Sequence, residues 1–242
     1  MRSRSYSDVF RRAAWFAGCL LCAWAATDPA FAHPELPVQI ERLDSELAAT
    51  PEDVDLLVRR GDIKRREGDF AGARADLAAA RVLDPERADL DYYQGRLALS
   101  EGDAAAADRL FGHYLEHRPD HASAWARRGE ARVQLARFDE AARDYGQAIA
   151  RSERPAPVLF VEQAQALRAA GIDRTTDALE AVDRGLERFP AEVSLLGLAT
   201  DLALDSGQTD RAQRYLERVP APVRALPRWQ ARLAALAVTV DP

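Results

Sequence analysis

The sequence predicts an all-α solenoid of antiparallel helix pairs, and three observations carry that prediction. The stretch EGDFAGARADLAAARVLDP, residues 67–85, is rewritten as EGDAAAADRLFGHYLEHRP at residues 101–119, an offset of 34. Gly61, Gly95 and Gly129 keep this offset, and so do Ala73, Ala107 and Ala141. Proline closes the units at Pro51, Pro85, Pro119, Pro155 and Pro190, in steps of 34, 34, 36 and 35. Three kinds of marker in one phase define a unit that is repeated about five times along the chain.

Residues 1–32 stand outside the repeat. MRSRSYSDVFRR is basic, residues 13–26 are apolar, and Ala30-Phe31-Ala32 is a small-x-small site, the layout of a secretory signal peptide. The apolar run falls short of the roughly 20 residues that cross a bilayer as a helix. Export to the periplasm with cleavage after Ala32 is expected. The FAGC before Cys19 and the Arg11-Arg12 pair fit the lipoprotein and twin-arginine layouts poorly. Residues 33–53, with LPVQIERLDSELAA, read as an amphipathic N-terminal capping helix. Residues 54–226 form the solenoid, and residues 227–242, with PRWQARLAALAV, form a C-terminal cap.

Within a unit the apolar spacing is helical. Leu56, Leu57, Gly61 and Ile63 make one stripe, REGD interrupts, and Phe70, Ala73, Leu77 and Ala80 make a second. Gly68-Asp69 and Gly102-Asp103 are each a stop followed by a start. The glycine takes a left-handed C-cap and the aspartate accepts from the open amides of the next helix. Proline cannot continue the helix before it, so Pro85 and Pro119 end their units. A single hairpin cannot bury its own apolar face, so the units are stable only when stacked.

These residues resemble the tetratricopeptide signature W-x2-L-G-x2-Y, A-x3-F, P. Trp125, Gly129, Ala141-x3-Tyr145 and Pro155 match it best, with Arg128 and Arg132 where the signature has leucine and tyrosine. Leu57, Gly61, Ala73-x3-Leu77 and Pro85 form one earlier unit; Gly95, Ala107-x3-Phe111 and Pro119 form another. Two weaker units follow, over residues 157–192 and 193–226. The resemblance implies a right-handed superhelix whose first helices line a concave groove that holds peptides or partner proteins. At the family's groove positions this chain supplies Val58, Asp62, Arg65, Tyr92, Tyr93, Arg96, Arg127, Glu130, Gln165, Arg168 and Asp201. The lysine–asparagine–arginine clamp of chaperone-binding members is absent: Val58, Asp62, Tyr93 and Ser123 stand at its positions, and only Arg127 matches.

His113, His117 and His121 follow one another in steps of four, a spacing that offers metal ligands and suggests a metal-handling envelope protein as an alternative. Pro119 breaks the helix before His121, and a histidine near a helix C-terminus is also favoured as a plain cation. A component that self-associates is a further alternative. Other classes find no support. Both cysteines, Cys19 and Cys22, lie in the segment to be removed, and no phosphate loop, HExxH or nucleophile elbow occurs. Acid pairs such as Asp53 with Asp55 and Asp89 with Asp91 fall at helix starts, where they read as caps. Beyond residue 32, 29 basic residues face 37 acidic ones, a net charge of −8 without the basic footprint of a nucleic-acid binder. The expected function is a non-enzymatic envelope adaptor without cofactors that binds a protein or peptide.

Overall fold

In the computed structural model, residues 35–240 are described; the signal peptide expected over residues 1–32 lies outside them. The elements are α1 (Leu36–Ala49), α2 (Val54–Glu67), α3 (Phe70–Leu83), α4 (Asp89–Glu101), α5 (Ala104–His117), α6 (Ala122–Gln134) and α7 (Phe138–Arg151). There follow α8 (Pro157–Ala170), α9 (Thr175–Arg188), α10 (Val193–Asp205), α11 (Thr209–Arg218), the short α12 (Ala221–Arg224) and α13 (Pro227–Val240). Helices α2 to α11 form five antiparallel pairs, each packed on the next, with α1 against α2 and α13 against α10 and α11. Along the inner side α2 touches α4, α4 touches α6, and α8 touches α10. The protein is an all-α solenoid.

The boundaries have local causes. Asp53, Asp69 and Asp103 accept from the backbone amides of Leu56, Gly72 and Ala106 at 3.1, 2.9 and 2.9 Å, each satisfying an orphan donor at a helix start. Gly68 and Gly102 end α2 and α4 with φ of 95° and 81°, a backbone that side chains rarely tolerate. The longer fourth connection, GIDRTTDA, is filled by a 3-10 turn at Ile172–Arg174.

Small residues set the approach of the two helices in a pair. A Cβ on Gly95 would lie 2.9 Å from the Phe111 ring, and one on Gly129 would lie 3.2 Å from Cζ of Tyr145. Ala164 and Thr200 take the equivalent place in the last two pairs, both fully buried. The Thr200 hydroxyl donates to the Leu196 carbonyl at 2.7 Å, which removes the cost of burying it.

The apolar core is not continuous. One cluster runs from Leu47 to Leu97, two small ones join α4, α5 and α6, and a broad one extends from Ala141 to Trp229. Buried aspartates link helices around these breaks. Asp144 of α7 accepts from Arg128 at 2.9 and 2.8 Å and from Arg132 at 2.8 Å, both on α6. Asp91 of α4 bonds Arg81 of α3 and His113 of α5. Asp91 is therefore not the cap its position suggested: it is buried and faces two neighbouring helices. Asp76 of α3 takes Arg60 at 2.8 and 2.6 Å and Lys64 at 3.0 Å. Among the described residues no helix is long and apolar enough to cross a membrane.

Candidate functional site

Because α2, α4, α6 and α8 are the first helices of consecutive pairs, side chains one period apart meet on the concave side. A groove of about 720 Å³ opens there, with Tyr92 and Arg96 from α4, Arg127 and Glu130 from α6, and Leu159 and Glu162 from α8 on its walls. Tyr92 is held by other rings. Its centroid lies 5.6 Å from Tyr93, 5.8 Å from Phe111, 5.3 Å from Tyr114 and 4.9 Å from His121. The Arg96 guanidinium sits 5.6 Å from the Tyr92 centroid and 6.0 Å from Tyr93, within cation–π reach.

A smaller hollow of about 120 Å³ adjoins it, lined by Arg65, Arg96 and Arg127 among others. Arg65 and Arg96 share one carboxylate, Asp62, each at 3.1 Å. Arg65 also donates to the Ser100 hydroxyl at 3.1 Å, and Arg127 pairs with Glu130 at 2.8 Å. Burial, reinforced by Arg96 and Arg127, pushes the Arg65 pKa down against the pull of Asp62. The hollow therefore crowds positive charge.

Two carboxylates border the larger groove, Glu162 and Glu130, the latter shared with the hollow. Burial raises the pKa of Glu162, and the Glu130 carboxylate raises it further. Tyr145, from α7, closes the floor between them with only 4% of its surface exposed. Burial pushes its phenol well above the ordinary value, with Glu162 and Glu130 adding to the shift.

The structure thus brings Tyr92, Arg96, Arg127 and Glu130 to one groove, with Asp62 and Arg65 beside it and Tyr93 packed against Tyr92. Other sequence candidates lie elsewhere. Val58 is a buried core residue, 3% exposed, so it offers nothing to a groove. Gln165 and Arg168 are exposed on α8 away from the groove lining, and Arg168 pairs with Asp205 at 2.6 Å. Asp201 is occupied by Arg232 of the C-terminal cap, at 2.7 and 2.6 Å. Sequence reasoning missed Tyr145 and Glu162. Glu162 sits at the sixth position of its unit, like Arg127, so the period alone reaches it. Tyr145 is on a second helix, outside any rule for groove positions.

The three histidines are separated in role. His113 bonds Asp91, which raises its pKa. The His117 ring stands edge-on to it at 5.1 Å. His121 is the N-cap of α6: its Nδ1 accepts from the Ala124 amide at 3.1 Å, and burial lowers its pKa. That lone pair is committed to the backbone. Among the described residues no group of three or more His, Cys, Asp or Glu side chains is placed to hold a metal ion.

Stacked helix pairs with a groove floored by tyrosine and arginine define a helical-repeat scaffold of the kind that binds other proteins. The tetratricopeptide repeat model matches residues 58–111 and 92–157. Residues 58–157 are therefore built of tetratricopeptide repeats. No curated protein matches it. Among solved structures, PilW, a type IV pilus biogenesis factor, is 18% identical over 82% of this chain and 91% of its own, with a TM-score of 0.67. YrrB, described as a tetratricopeptide protein with an unusual peptide-binding site, is 16% identical over 83% of this chain and 99% of its own, with a TM-score of 0.64. Yeast Tom70 is 17% identical over 83% of this chain, with a TM-score of 0.54, and the chain spans 42% of its length. At these identities the likeness is one of fold.

Proposed function

We propose that this protein is a non-enzymatic adaptor of the bacterial cell envelope that holds an extended segment of a partner protein across α4, α6 and α8. The observation that carries this reading is the Tyr92–Arg96 pair at the groove wall. Tyr92 is kept in place by four rings, so presenting its remaining face costs little side-chain entropy, and Arg96 lies against it. Tyrosine and arginine in a partly desolvated concave centre are the residue types that dominate binding energy. YrrB supports the reading only as a peptide binder of similar fold.

Capture of partners from an envelope extract tests it. Arg96→Ala and Tyr92→Ala/Arg96→Ala, each with unchanged helical circular dichroism, are expected to weaken the captured partner by about 2 kcal/mol or more, roughly 30-fold. Identical partners and affinities for wild type and variants would remove the groove from the function. The envelope assignment rests on the sequence of residues 1–32. N-terminal sequencing of the protein from a periplasmic fraction is expected to begin at His33, and an intact Met1 in the cytoplasm would refute it.

A further inference from the structure

The carboxylates around the groove are matched by cations with one exception. Asp62 has Arg65 and Arg96, and Glu130 has Arg127. Glu162 is half-buried in the groove wall and has no ion pair or hydrogen bond among the described residues. Burial and then the Glu130 carboxylate raise its pKa. Arg154, on the loop between α7 and α8, borders the same groove but makes no ion pair with it.

A second, independent feature points into the same corner. Tyr145 is more than nine-tenths buried, lines the groove, and its hydroxyl has no protein partner among the described residues. Its ring is fixed over Gly129, where a Cβ would come within 3.2 Å of the carbon that bears the hydroxyl. An otherwise buried tyrosine normally satisfies its hydroxyl. Here the open side is the groove. Val158 and Leu159 sit beside it and supply apolar surface.

We propose that Glu130, Tyr145 and Glu162 form a subsite for one cationic group, the ammonium or guanidinium of a lysine or arginine on the peptide held in the groove. An ammonium brings donors and no acceptor, so it can donate to Glu162, to the Tyr145 oxygen and to the free lone pairs of Glu130. Its positive charge replaces carboxylate repulsion by attraction in a partly desolvated place, which also fits the raised Glu162 pKa. The aliphatic stem lies along Val158 and Leu159 while the head reaches the acids. Arg96 and Arg127, which line the same groove and continue into the arginine hollow, repel a second cation, so the basic residue is confined to one register.

This inference rests on the groove being the binding site, and the test separates the two. Random dodecapeptides displayed on phage are selected on the full chain, and the winners are synthesised and titrated by fluorescence anisotropy. The selected peptides are expected to share one lysine or arginine. Replacing that residue by norleucine, or Glu162 by Gln, should each weaken binding about tenfold, and the two changes together no further than either alone. Peptides weakened by Arg96→Ala that share no basic residue, or norleucine and Glu162→Gln effects that multiply, would overturn the cationic subsite and leave the groove standing. Peptides indifferent to Arg96→Ala and to Glu162→Gln, or no peptide at all, would overturn both. The norleucine change is made in the ligand, so it stands even where a protein variant folds poorly.

Discussion

Replacing Asp144 with alanine is expected to lower the unfolding free energy by about 3–5 kcal/mol, the cost of breaking a buried ion pair from one side. Asp144 is 2% exposed and accepts three hydrogen bonds, two from Arg128 and one from Arg132. Arg132 retains Asp108 at 2.8 Å, but Arg128 loses its carboxylate altogether and stays largely buried against Trp125. The site also lies where the small clusters of α4 to α6 give way to the broad C-terminal one. Urea unfolding with an unchanged m-value reads the loss. Exchanging Asp144 and Arg128 together for leucines is expected to recover most of it, because a packed apolar pair needs no compensating charge. A loss below about 1 kcal/mol for the single variant would show that the bridge is solvated and contributes as a surface pair does.

Trp229→Ala is the second large effect, again about 3–5 kcal/mol, from the lost burial and the cavity left behind. Trp229 is 1% exposed and packs over Gly197, where a Cβ would be 3.6 Å from the indole. Arg232 stacks on its ring at 4.7 Å while gripping Asp201, so one turn of α13 closes the end of α10 by apolar and ionic contact together. Without the tryptophan, the buried leucines of α10 face water, and amide exchange in α10 and α11 should accelerate. The indole Nε1 is buried without a hydrogen-bond partner among the described residues, so Trp229→Phe should cost much less than alanine. Unchanged exchange in Trp229→Ala would mean that α13 does not seal the stack.

The fold was legible because its determinants are local and periodic. Asp69 and Asp103 stand three residues before the amides they cap, and glycines of left-handed conformation precede them. The polar framework was harder to see. Arg60 and Asp76 are 16 residues apart, as are Arg128 and Asp144, two periods further on. That repetition is in the sequence, but a charged residue on a helix reads by default as solvated, and only packing shows that these are not. His121 deceived for a related reason. In a row of histidines its imidazole suggested a ligand, whereas its place before Ala122 made it a cap, a part usually taken by a hydroxyl or carboxylate. The groove was half legible. The period points to Tyr92, Arg96 and Arg127, but it cannot show that Arg232 from the far end of the chain takes Asp201, or that Tyr145 reaches through from the second layer.

The interruptions of the apolar core at α4 and α6 fall beneath the very helices that carry Tyr92, Arg96, Arg127 and Glu130. There the two helices of a pair are tied by directional ionic links, Asp91 to His113 and Asp144 to Arg128 and Arg132, in addition to the small apolar clusters. Their aspartates are buried, so mobile salt screens these links far less than it does surface pairs. The superhelix thus carries charged seams beneath its grip and an unbroken hydrocarbon body at its tail.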